Sequence, residues 1–192
     1  MALAHDPRWP RAGDWSAPDG DVDFGIIGVP TFSTSITPGS TNLTPAAVRD
    51  VLPRYSEVFQ SGDAVHTGAG LVRHDFGDVV DPDGDEAGAI RVITEAVART
   101  RLLVAIGGDN ALTVPVAAAA WGEQIATAGL ITVDAHLDVR DGVSNGSPVR
   151  RLIEEFGVDP ARVVQIAIAD FANSTEYLGR VRDWGVTVIT RD

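Results

Sequence analysis

The chain has 192 residues, 44% of them hydrophobic, and carries a formal net charge of −12 with a sequence pI near 4.6. That length suits one domain with a sizeable core, and the acidic balance repels phosphate backbones, so no nucleic acid is expected as a partner. There is no cysteine, which excludes disulfides and thiolate sites and leaves carboxylates, imidazoles and amides to hold any metal, a donor set suited to Mn or Mg.

Residues 1–22 mix prolines and glycines with two tryptophans and read as an irregular arm laid over the domain. The arm lacks the apolar core of a signal peptide, and no run approaches the roughly 18 apolar residues of a membrane span. Cytoplasm is therefore the expected location, with no membrane partner. Phe24–Val29 is an apolar run that predicts a strand, followed by a polar loop over 30–43. Thr44-Pro45 gives a cap and a first-turn proline for a helix over Ala46–Val58, which Pro53 is expected to kink or split. Leu71–Gly77 predicts a second strand and Asp85–Thr100 a helix. Arg101–Ile106 is a third strand running into Gly107-Gly108. Ala111–Trp121 is small and apolar throughout, a buried helix whose start is blurred by Pro115. Gly129–Val133 is a fourth strand, Val149–Phe156 a helix, Arg162–Ala167 a fifth strand, Thr175–Trp184 a helix and Val186–Ile189 a last strand. The strands are continuous apolar runs alternating with helices, the pattern of a mostly parallel α/β sheet covered on both faces in three doubly wound layers. Ligands collect at the carboxyl ends of such strands, so the loops after Ile106, Val133 and Ala167 are where chemistry is expected.

One of those loops reads Asp134-Ala135-His136-Leu137-Asp138. In extended backbone, residues at i, i+2 and i+4 point to one side, so two carboxylates and an imidazole converge. Packed like charges repel unless a cation neutralises them, and a divalent metal is the simplest resolution. The plainer alternative is that Asp134 caps the next element while His136 packs alone. A second loop, Gly107-Gly108-Asp109-Asn110, combines a tight glycine turn with a residue that makes a good helix N-cap. A third segment, Ser144-Asn145-Gly146-Ser147-Pro148, is a polar turn before a helix.

Taken together and in order, these segments resemble the ureohydrolase family of arginases, agmatinases and formimidoylglutamases. The family pattern runs Gly-Gly-Asp-His, Asp-Ala-His-x-Asp, a His-Gly turn and a later Ser-x-Asp-x-Asp. Here the matches are GGDN at 107–110, DAHLD at 134–138 and NG at 145–146, with PGSTNLTPAAVR at 38–49 similar to the family's upstream loop and helix start. The resemblance spans residues 24–192 and implies an arginase-like α/β domain over 23–192 whose C-terminal part is missing. It implies hydrolysis of C–N bonds in small linear amidines at a binuclear manganese site, a bridging hydroxide attacking a formimino or guanidino carbon, in an enzyme expected to be a homo-oligomer. Residue by residue, Asp134 is expected to bridge the metals, His136 to bind one ion, and Asp138 to bind the other and orient the hydroxide. Gly107, Gly108 and Asp109 support the loop of Asn110, which stands at a ligand position. Asn145 is placed at a catalytic and substrate-contacting position. Asn173 and Ser174 follow the fifth strand as in the formimidoylglutamase type and are expected at the substrate, or else to cap the helix that starts there.

Three departures accompany the resemblance. Asn110 replaces a ligand histidine, and an amide oxygen is a poorer donor than imidazole to a first-row metal. Asn145 replaces a histidine and cannot titrate near neutral pH. No Ser-x-Asp-x-Asp occurs. These imply little or no activity for this chain by itself, and they sustain an alternative: a catalytically impaired or non-enzymatic protein of the same fold. A doubly wound nucleotide binder is disfavoured, since neither G-x-G-x-x-G nor a Walker loop is present.

Overall fold

The structure is a computed structural model that describes residues 6–13, 15 and 18–191. Part of the expected N-terminal arm, residues 1–5, 14, 16 and 17, lies outside the described residues, as does Asp192. The described part of the arm is tied to the domain. Arg11 donates to the Pro53 carbonyl, Arg99 donates to the carbonyls of Pro18 and Gly20, and Trp15 meets Phe24 edge to face.

Six strands form two parallel sheets. The first has β1 (Val22–Val29) between β4 (Arg73–Asp78) and β5 (Thr100–Gly107). The second has β7 (Val163–Ile168) between β6 (Leu130–Val133) and β8 (Thr187–Thr190). The parallel pairing follows from the helices that return the chain between strands: α2 (Glu86–Ala98), α3 (Thr113–Trp121), α4 (Pro148–Glu154) and α5 (Thr175–Trp184). Among the described residues, β5 and β6 each keep one edge without a paired strand. The mostly parallel doubly wound architecture is as expected, its strands divided between two sheets, and the strand before the DAHLD loop lies at an edge.

Helix α3 joins the two halves. Val114 and Ala117 belong to the core around β6, β7, α4 and α5, while Ala119 belongs to the core of β1 and α2. A helix apolar all round is one buried on more than one side, which explains its run of alanines. Pro115 sits in the first turn, where a missing N–H removes no intrahelical bond. A bidentate ion pair adds a second tie. Arg151 of α4 places Nη1 and Nη2 at 2.7 and 2.9 Å from the carboxylate of Glu86 in the first turn of α2.

Elsewhere the sequence reading needs three changes. The first helix, α1, spans Thr44–Val51 and gives way to a 3₁₀ turn at Leu52–Arg54, so Pro53 splits the helix expected to reach residue 58. Its N-cap is Leu43, and Thr44 is already helical. Residues 58–67, left unassigned by periodicity, form a hairpin of β2 (Val58–Ser61) and β3 (Ala64–Thr67). Its two-residue turn places Gly62 at φ +58°, the position where a hairpin turn favours glycine.

Candidate active site

The loops after β5, β6 and β7 meet at one end of the molecule. Asn110, Asp134, His136, Asp138, Asn145, Asn173 and Ser174, all singled out from sequence, line a single cleft of about 400 Å³.

The loop after β5 is set by backbone contacts. Gly108 N–H donates to Val29 O at 3.0 Å and Asp109 N–H to Thr31 O at 2.9 Å. The buried Thr31 returns a hydroxyl bond to Asp109 O. This closeness requires glycine at 108, where a Cβ would stand 1.9 Å from Thr31 O. Asp109 caps the turn that follows by accepting from Ala111 N–H, and its other oxygen takes the Ser35 hydroxyl. The cap assigned to Asn110 thus belongs to Asp109. Asn110 points into the cleft instead, its Nδ2 2.5 Å from Asp138 Oδ2 and its Oδ1 accepting from Thr113.

The loop after β6 is not extended, which corrects the spacing argument. Asp134 N–H still continues the ladder to Ile166 O. The chain then bends, and Asp138 takes φ +52°. Asp134 and Asp138 come together through that bend and not through strand alternation. The loop is braced from outside. Asn173 accepts from Leu137 N–H at 2.9 Å and donates to Ala135 O at 3.1 Å, and fully buried Gln165 donates to Leu137 O at 2.7 Å. The Asp138 carbonyl accepts from Val149 and Arg150 at the start of α4. Of the four described non-glycine residues at positive φ, Asp138, Ala167 and Phe171 lie in this region. Ala167 marks the irregularity in β7 pairing that redirects the chain towards Asn173.

Asp138 is 7% exposed, and its carboxyl is pushed up to about 7, first by burial and then by the charge of Asp134. His136 is exposed, with Nδ1 3.2 Å from Asp134 Oδ1. Ser174 caps α5 by accepting from Tyr177 N–H, so its hydroxyl has a structural task beside its place in the cleft. Asn145 accepts from Ile36 N–H through Oδ1.

These are hard oxygen and nitrogen donors, and a cation between Asp134 and Asp138 would relieve the repulsion that raises Asp138. In chemistry the residues fit a divalent ion. In geometry the set is open: among the described residues, no three carboxylate or imidazole groups are gathered closely enough to hold one.

Sequence reading missed two residues. Arg140 lines the cleft two positions past Asp138, and Tyr177 lines it from the first turn of α5. Neither belongs to a motif. Arg140 was discoverable only as a lone cation following an acidic cluster.

Parallel strands ending in a cleft with paired carboxylates define an α/β protein with a strand-end cleft, the place where such folds bind ligands. The chain belongs to the arginase family, whose model matches residues 22–192. It is 33% identical to the formimidoylglutamase of Halobacterium salinarum over 180 residues, covering 90% of this chain and 56% of that protein. It is 32% identical to the formimidoylglutamase of Halalkalibacterium halodurans, covering 87% and 54%. The chain thus spans little more than half the length of these curated relatives. Among solved structures, Trypanosoma cruzi formiminoglutamase with Mn2+ superposes with a TM-score of 0.81 at 27% identity, covering 95% of this chain and 65% of that one.

Proposed function

We propose that this chain carries the metal-ligand loops and part of the substrate cleft of an amidine hydrolase, acting on a linear formimino or guanidino compound. The observation that carries this reading is the Asp134–Asp138 pair meeting Asn110 at the floor of one cleft. The formimidoylglutamase-like form is favoured over the agmatinase-like one. The formimidoylglutamase relatives are 32–33% identical over 87–90% of this chain, whereas guanidinopropionase and a human guanidino acid hydrolase are 29–30% identical over 88–91% of it.

Asp134, His136 and Asp138 would hold manganese, joined by the Asn110 oxygen once its amide turns over. When bound, the metal would bring a water's proton affinity down towards neutrality. Asp138, on the cleft floor beside Asn110, is placed to orient the attacking water by accepting a hydrogen bond from it. Asn173 keeps the loop in position through Leu137 and Ala135. Asn145 offers the cleft an uncharged amide donor. One observation favours a non-hydrolytic relative: Asn110 presents an N–H, and not its oxygen, to Asp138.

The test is a substrate panel with added Mn. Formiminoglutamate would release formamide, and agmatine or 4-guanidinobutanoate would release urea. Release from one of them that is lost in Asp138→Ala supports hydrolysis. No release from any, in a folded Mn-loaded protein, supports the impaired or non-hydrolytic reading.

A further inference from the structure

The central strand of the second sheet holds a residue that packing alone does not explain. β7 reads Val-Val-Gln-Ile-Ala-Ile, and Gln165 lies in its middle, 0% exposed, between Thr132 of β6 and Val188 of β8. An amide in such a place is costly unless both of its polar atoms are satisfied. Here only one is. Nε2 donates to the Leu137 carbonyl at 2.7 Å, while Oε1 is buried with no hydrogen-bond partner among the described residues. Valine or isoleucine, as at the flanking positions, would fill the strand without that cost. What Gln165 contributes therefore lies in its bond to Leu137.

That bond falls at a particular peptide. Leu137 stands between His136 and Asp138, and its carbonyl belongs to the peptide whose rotation about the next N–Cα bond sets φ of Asp138. Asp138 holds φ +52°, which residues other than glycine adopt at a cost. The flanking peptides are tied elsewhere. Before the bend, Ala135 O accepts from Ala169 N–H and from Asn173, and Leu137 N–H donates to Asn173 at 2.9 Å. After it, Asp138 O accepts from Val149 and Arg150 at the start of α4. Gln165 grips the peptide between these two sets of ties, and it does so from inside the core, where the Leu137 side chain is also buried.

We propose that Gln165 is a positioning residue for the metal loop. It fixes the plane of the Leu137–Asp138 peptide, holds Asp138 in its left-handed bend, and so keeps that carboxylate turned to the cleft. Its bond goes to main chain, so it acts through Leu137. The proposal rests on the reading of Asp134, His136 and Asp138 as ligands of a divalent cation.

The test replaces Gln165 by Met, similar in length but without an N–H donor, and by Asn, an amide one methylene too short to reach Leu137 O. Val163→Ala, fully buried at the other end of the same strand, is the control for lost packing alone. Mn affinity is measured by calorimetric titration at a temperature where melts in chelator show the variants to be native. Hydrogen exchange over residues 134–140 is followed by mass spectrometry in chelator. Gln165→Met and Gln165→Asn should each bind Mn at least roughly tenfold more weakly than the wild type, and exchange this segment faster. Val163→Ala should lower the melt and leave both readouts unchanged. Wild-type Mn affinity in either folded Gln165 variant overturns the proposal while leaving the metal reading intact. An equal loss of affinity in Val163→Ala overturns it too, since general loosening then accounts for the effect. A wild type that binds no Mn removes the metal reading, and exchange then decides the rest. Faster exchange confined to 134–140 in the Gln165 variants supports the hold on the bend, and unchanged exchange removes it.

Discussion

The loops after β5 and β6 approach the same cleft but are built in opposite ways. The first is fixed by its own main chain. Gly108 presses against Thr31, and Asp109 uses its carboxylate to cap the next turn. The second uses Asp134 to accept from its own His136 N–H, while its buried Asp138 turns to Asn110 across the cleft. Its bracing comes from Asn173, Gln165 and the start of α4, each 11 or more positions away in sequence. The difference teaches where the chemistry lies. A loop whose buried acid serves its own backbone is scaffold, whereas one whose buried acid faces the cleft while distant groups brace it is the better candidate for a site.

Breaking the first loop should have the largest effect. In Gly108→Ala, the new methyl group meets the Thr31 carbonyl, and backbone gives way less readily than a side chain. A loss of about 3 kcal/mol in urea denaturation is expected. Gly20→Ala, where a Cβ meets nothing within 4 Å, is the control and should be silent. Equal behaviour of the two variants would end the view of the first loop as rigid scaffold.

The second loop should reveal itself through pH. Folded Asp138 keeps its proton up to about 7, while an unfolded aspartate releases it near 3.8. Between those values the unfolded state binds fewer protons, so this group makes stability fall as pH rises. Asp138→Asn removes that contribution. In chelator, the variant should gain stability relative to the wild type on going from pH 5 to pH 8. A stability difference that is the same at both pH values would show that Asp138 is not held as described.

The smallest effect concerns the residue between the loops. Asn110→His should raise Mn affinity by roughly tenfold, about 1.4 kcal/mol, because imidazole is the better donor. Metal-free stability should drop by about 1 kcal/mol through loss of the Nδ2 bond to Asp138. The cost comes from that bond and not from helix capping, which Asp109 performs. A lower melt with unchanged Mn affinity would assign Asn110 to the scaffold.

Much of this was legible in sequence, for a physical reason. Most strands of the parallel sheets are built on apolar runs, β4 with its sequence RHDFGD being the exception, and the ligand candidates of the second loop lie within five consecutive residues. What periodicity could not show is what depends on distant partners. Asn173 reads as a helix cap or a substrate contact, yet its amide is engaged by residues 36 and 38 positions earlier. The positive φ of Asp138 makes the bend that replaces strand alternation, and aspartate does not announce it as glycine would. The hairpin at 58–67 had its turn signal in Gly62-Asp63. Its strands are exposed on both faces, so no alternation of apolar and polar residues marked them.

Two of the unpaired strand edges among the described residues, those of β5 and β6, carry a consequence for the molecule in bulk. Leu102 and Val104 on β5, and Ile131 and Val133 on β6, are all exposed, Val133 at 74%. Aliphatic edges of this kind are templates for further strand pairing. A charge of −12 sets long-ranged repulsion between copies against it. Colloidal behaviour is then a contest between a contact-range attraction and a field that salt shortens to about 10 Å at 0.1 M. The chain is expected to be most disperse in dilute neutral buffer, and to associate more as ionic strength rises or as acidification towards pH 4.6 removes the charge.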